Sequence, residues 1–230
     1  MKSKTKNMKL VSLLAVLSLA FVGAGTYSVA KVSAEALDTE SELATIVTGI
    51  AEANGVEYET FEEALAAGDS VKLLRNTKVG TFTISGRNVE IDLNGKTLTL
   101  TTRVFMNSDA DVTIKNGSIC ITGAVAGGDA LICVGNYSTN AKLTLDNVYM
   151  SGYGYNSAYA VMYVYGSSTL DITGSKFILQ DEQHGSGGFI KAQSGKNGVI
   201  NITGTDISLK DAKIGFLDGT LTLDGVDLDI

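Results

Sequence analysis

The stretch Val112-Thr113-Ile114-Lys115-Asn116-Gly117-Ser118-Ile119-Cys120-Ile121 decides the fold. Val112 and Ile114 are aliphatic and two apart, Asn116 follows at the same spacing, and Ile119 and Ile121 then repeat the pattern. Side chains two apart project from one face of a strand. A single Asn or Gly between two such pairs is what a left-handed corner residue requires. The stretch therefore reads as strand, one-residue corner, strand, with Thr113 and Lys115 on the outer face.

The same grammar recurs along the chain. Leu93, Ile114, Leu145, Ile172, Ile202 and Leu223 are equivalent, and two positions before each stands another aliphatic residue: Ile91, Val112, Leu143, Leu170, Ile200 and Leu221. Two positions after each comes Gly95, Asn116, Asn147, Gly174, Gly204 or Gly225, the predicted corners. Five positions after come Leu98, Ile119, Met150, Phe177, Ile207 and Leu228. Seven after, Gly152 alone breaks an otherwise apolar column. The intervals of 21, 31, 27, 30 and 21 residues each leave room for a third strand, at Val104–Met106, Ala130–Val134, Ala160–Val164, Gly188–Ala192 and Ile214–Leu217. Three strands per repeat predict an all-β chain, a right-handed parallel β-helix built as a solenoid whose longer intervals are loop insertions. The complete absence of proline fits strands that donate hydrogen bonds on both sides.

The ends carry different signals. Lys2, Lys4, Lys6 and Lys9 precede the uncharged apolar run Leu10–Val22, and small residues at Ser28-Val29-Ala30 and Val32-Ser33-Ala34 offer cleavage sites. This order predicts a secretory signal peptide over residues 1–34. Residues 35–80 read as an N-terminal cap and 81–230 as the parallel β-helix domain. In the cap, Asn54-Gly55 is a two-residue hairpin signal. Thr60 with Glu63 is a capping box for a short helix through Phe61, Ala64 and Leu65 to Gly68, expected to cover the first coil and its strand edge. At the other end the last coil has no cap, which leaves it open to self-association or to continuation by a further strand.

Charge narrows the partners. Five of the 18 basic residues and none of the 25 acidic ones lie in residues 1–34, so the remainder carries 18 less 5, or 13, basic groups and a formal charge of −12. Such a surface repels phosphate backbones, and nucleic acid is excluded as a partner. The two cysteines, Cys120 and Cys133, are compatible with one disulfide or with two small half-buried thiols.

Tyr58-Glu59-Thr60-Phe61-Glu62-Glu63-Ala64-Leu65, Val71-Lys72-Leu73-Leu74 and Ile91-Asp92-Leu93-Asn94-Gly95-Lys96-Thr97-Leu98 together resemble the opening of pectate-lyase-like β-helix modules. Such modules recur in secreted and adhesin-like surface proteins of Gram-positive bacteria. The resemblance spans roughly residues 50 to 230 as a structural grammar. It implies a β-helix at the surface of a Gram-positive bacterium, and leaves the chemistry to be argued from side chains.

Enzymes of that scaffold hold calcium and a catalytic base on the outer face of their first strands. Here Lys115 and Asp146 would be ladder neighbours about 4.8 Å apart, with Asp171 diagonal to Asp146 at roughly 8 Å. These are the candidates for catalysis or for a cation such as calcium; no metal-spaced cluster or cofactor motif occurs. No arginine stands near them to serve as a lyase base. An ordinary surface ion pair on a hydrated sheet accounts for such a trio more simply. His184, in Asp181-Glu182-Gln183-His184-Gly185, lacks the paired aspartates and the Arg-x-Lys that a polygalacturonase would need.

Seven of the nine tyrosines fall between 137 and 165. Tyr149 is at an outward position, and Tyr153 and Tyr155 lie in a Gly/Asn/Ser stretch, so these three are the candidate binding residues. Tyr163 and Tyr165 are expected to pack within the repeat. The leading expectation is a non-catalytic surface module that binds a polysaccharide or another cell-surface component. A polysaccharide lyase or glycoside hydrolase is the first alternative, and a structural stalk the second.

Overall fold

The computed structural model describes residues 48–122, 130–153, 160–180, 189–210 and 219–229. They form a mostly-β structure with parallel sheets and one α-helix among the described residues. The chain opens with the hairpin β1 (Ala51–Ala53) and β2 (Val56–Tyr58). Asn54 and Gly55 both have positive φ, 53° and 74°; that pair of left-handed residues is the two-residue turn whose twist suits a hairpin. Helix α1 (Phe61–Ala67) follows with its capping box formed: Thr60 Oγ1 accepts from the Glu63 amide, and Glu63 Oε2 accepts from the Thr60 amide, both at 3.2 Å. It stops at Gly68, where a Cβ would lie 2.9 Å from Asn54 Nδ2, so the hairpin turn and the helix end are close neighbours.

Parallel pairing begins with β3 (Ser70–Leu73), β4 (Thr77–Val79) and β5 (Phe82–Ser85), which pair with β6 (Asn88–Asp92), β7 (Thr97–Leu100) and β8 (Val104–Asn107). Next come β9 (Ala110–Ile121), β10 (Ile132–Val134), β11 (Ala141–Tyr153) and β12 (Met162–Val164). The rest are β13 (Thr169–Thr173), β14 (Lys176–Gln180), β15 (Ile190–Ala192), β16 (Val199–Thr203), β17 (Asp206–Lys210), β18 (Thr220–Asp224) and β19 (Asp227–Asp229). One ladder runs β3-β6-β9-β11-β13-β16-β18, a second β4-β7-β9-β11-β14-β17-β19, and a third β5-β8-β10-β12-β15. The first two share one sheet because β9 and β11 run unbroken through their corners.

All six expected corner residues have positive φ: Gly95 71°, Asn116 58°, Asn147 53°, Gly174 53°, Gly204 54° and Gly225 59°. The inward column Leu98-Ile119-Met150-Phe177-Ile207-Leu228 is paired in that order across the second ladder. Its first five members are buried, each contributing about 1.5–3 kcal/mol. Gly152 breaks the next column because Ile121 fills the space: a Cβ on Gly152 would sit 2.6 Å from the Ile121 Cβ. Just past the corner, buried hydroxyls replace part of the backbone pairing. Ser175 Oγ accepts from the Val148 amide at 3.0 Å, and Thr205 Oγ1 accepts from the Ser175 amide at 3.3 Å.

Two details depart from the sequence expectations. The parallel ladders start at Ser70, one repeat before residue 81, because Leu73 opens a repeat with Arg75 where the others carry Gly or Asn. The edge of β3 is closed by β1, which pairs with it antiparallel, while α1 buries Phe61, Ala64 and Leu65 and packs Phe61 on Phe82 at 5.4 Å. Cys120 and Cys133 are thiols and not a disulfide, the second of the two readings: Cys120 is half-buried on β9, and Cys133 is buried on β10 with its thiol donating to the Ala130 carbonyl. The expected strand Ile214–Leu217 lies outside the described residues, as does the leader.

Candidate binding groove at the Asn/Gly corner

The corner between the first two ladders is concave because its residues are Asn and Gly. Cβ atoms added to Gly95 or Gly174 would meet nothing within 4 Å, so the space beside them is open. A groove of about 490 Å³ results, lined by Asn116, Ser118, Asn147, Tyr149 and Lys176 with glycines 95, 117 and 174 between them. The asparagine amides stack along it: Asn147 Nδ2 donates to Asn116 Oδ1, and Asn116 Nδ2 to Asp92 Oδ1, each at 3.4 Å.

Tyr149 occupies the outward column Thr97-Ser118-Tyr149-Lys176-Asp206-Asp227, between Ser118 and Lys176. Its side chain is 40% exposed. The small Ser118 flanks Tyr149 on one side of the ladder and Lys176 on the other. Lys176 reaches only a weak pair with Asp206, at 3.9 Å with both ends solvated. A ring, two amides, a hydroxyl and an ammonium are thus collected on one open surface. Such a set suits a ligand with an apolar face and a rim of hydrogen-bonding groups. Tyr153 shares the strand β11, but its side chain and the whole of Tyr155 lie outside the described residues, together with Asp181, Glu182 and His184.

The charged ends of the catalytic candidates Lys115 and Asp171 are each engaged by another partner. Lys115 pairs across the ladder with Asp146, as the spacing predicts. Its Nζ turns instead to Glu90 Oε1 at 2.9 Å. That hydrogen bond, with the nearby carboxylates of Glu90, Asp92 and Asp146 adding to it against a smaller desolvation effect, raises the lysine pKa above its ordinary value. Asp171 pairs with Thr144 and so lies diagonal to Asp146, as the spacing predicts, and it is committed to Lys142 Nζ at 3.1 Å and to Asn201 Nδ2 at 2.8 Å. Among the described residues no group of three or more His, Cys, Asp or Glu is arranged to hold a metal ion.

The remaining tyrosines divide as their neighbours dictate. Tyr163 and Tyr165 are buried, with ring centroids 4.4 Å apart, in a small cluster with Ala130 and Cys133 outside the main core. Tyr137, in contrast, is 72% exposed and meets Tyr165 edge-to-face at 5.1 Å. Sequence reasoning overlooked Lys176, although the repeat carries the signal: it stands four residues after Ile172, as Tyr149 stands four after Leu145. No family model, curated protein or solved structure matches this chain.

Proposed function

We propose that this chain is an exported surface protein whose three ladders close into a right-handed parallel β-helix, and that its Asn/Gly corner binds a glycan without cleaving it. The observation that carries the reading is the half-exposed Tyr149 ring beside the open glycine corner, with the amides of Asn116 and Asn147 and the Lys176 ammonium around it. Tyrosine supplies contact area at small entropic cost and has both an apolar body and a polar tip. Sugars have the matching combination of C–H faces and hydroxyl rims. The basic leader and apolar run support export, and the repeat grammar supports the β-helix.

Isothermal titration with soluble oligosaccharides tests the site. Tyr149→Ala is expected to weaken binding at least about tenfold, or about 1.4 kcal/mol, while leaving the melting temperature unchanged. Equal affinity in the variant removes the groove from the account. A lyase or hydrolase reading gains little support from Lys115 and Asp171, whose charged ends are engaged by Glu90 and Lys142. The exposed Leu223 and Leu228 support a second kind of partner, a strand docking on the last repeat. Light scattering from residues 35–230 checks it: a monomer at every concentration speaks against self-association.

A further inference from the structure

The turn Gly135–Asn140 presents the most exposed large hydrophobic side chain of the described residues, Tyr137. The turn is held firmly. Asn136 Oδ1 accepts from the amides of Ser138 at 2.7 Å and Thr139 at 2.8 Å, and the Asn136 amide donates to the Thr139 carbonyl at 2.8 Å. Neighbouring repeats hold it from both sides: Thr139 Oγ1 accepts from the Ser108 amide, and Asn140 Oδ1 from the Ser167 amide, each at 2.9 Å. The ring itself rests edge-on against Tyr165, which in turn packs on Tyr163. A rigid aromatic platform is therefore offered to solvent with little conformational entropy left to lose on binding.

The surroundings select the ligand. Residues 135–140 contain no charge, Ser138 and Asn140 are exposed in the same turn, and the neighbouring exposed Asp109, whose amide donates to the Asn140 carbonyl at 2.8 Å, brings a carboxylate that disfavours an anionic ligand. Because Asn140 Oδ1 is already used by Ser167, the amide Nδ2 is the end available to donate outward. One ring, a hydroxyl and an amide donor match one neutral pyranose unit: its C–H face lies on the aromatic face and its hydroxyls reach the rim. The apolar area is a single side chain, far below what a protein interface needs. We infer that Tyr137, with Ser138 and Asn140, forms a second glycan subsite, specific for uncharged sugars and separate from the Tyr149 groove.

Titration of ¹⁵N-labelled residues 35–230 with cellohexaose, chitohexaose and a hexamer of galacturonate tests this. The expected result is saturable movement of the amide signals of residues 136–140 with a neutral hexamer and not with the galacturonate. Tyr137→Ala should abolish that movement and Tyr149→Ala should leave it within about twofold of its original midpoint. At 72% exposure, the loss of the Tyr137 ring leaves the core intact, and unchanged signals from Leu98 and Met150 would verify it. Movement confined to residues 116–118 and 147–149 would overturn this subsite and leave the groove reading standing. Turn signals that persist in Tyr137→Ala, or that respond equally to galacturonate, would also overturn it. Silence at both places with every sugar would overturn both readings.

Discussion

The two ends of the ladders treat the same residue in opposite ways. Leu98 and Leu228 belong to one inward column, yet Leu98 is fully buried and Leu228 is 40% exposed; Leu93 and Leu223 differ in the same manner, with Leu223 at 47%. At the first end, β1 covers the edge of β3 and α1 inserts Phe61, Ala64 and Leu65. At the last described repeat, β18 and β19 are hydrogen-bonded only to β16 and β17. A stacked repeat buries its apolar column only if something lies on each side of it. What a leucine contributes here is therefore set by its place in the stack more than by its type.

Substitution along that column breaks or sharpens the comparison most strongly. Leu98→Ala should cost about 2–5 kcal/mol, since it leaves a cavity in packed surroundings. Leu228→Ala should cost under about 1 kcal/mol, as at an exposed position. Urea unfolding of both variants decides it, and equal losses would mean that the last repeat is as well covered as the first. A smaller effect is expected from the cap: Thr60→Ala removes the acceptor for the Glu63 amide and should cost about 1 kcal/mol. Thermal melting checks that value.

The smallest predicted effect is a pH dependence confined to the capped end. The Gly49 and Thr48 amides donate to Glu57 Oε2 at 2.9 and 3.0 Å, with the Gly49 bond the larger influence, and they lower the Glu57 pKa below the usual carboxylate value. A carboxylate favoured in the folded state stabilises it above the unfolded pKa, and that contribution disappears as pH falls through the lowered folded value. Stability measured from neutral to acid pH should therefore decline less steeply in Glu57→Gln than in the unaltered protein. Identical slopes would remove this contact from the balance.

The repeat was legible because corners and strands obey local rules. Asn116 and Asn147 could be recognised as left-handed corners alongside four glycines, since few other residues tolerate that conformation. The early start at Ser70 was hidden by Arg75, which occupies the place of the diagnostic Gly or Asn. Side-chain choices were less legible. Spacing put Lys115 beside Asp146, but it carries no information on whether a flexible lysine turns along the column or diagonally to Glu90. Nor does spacing distinguish Tyr165, covered by its neighbours, from Tyr137 on a turn. Lys176 was within reach of the repeat arithmetic and completes the groove around Tyr149.

Glycan binding without cleavage at the Asn/Gly corner is the central claim, and native affinity electrophoresis of residues 35–230 tests it most directly. Gels cast with a panel of polysaccharides, with calcium present, would carry the unaltered protein beside Tyr149→Ala. The account predicts retardation of the former by at least one polymer, near-normal mobility of the latter, and no clearing of the gel. Unchanged mobility in every polymer, or a cleared track behind the protein, would contradict it.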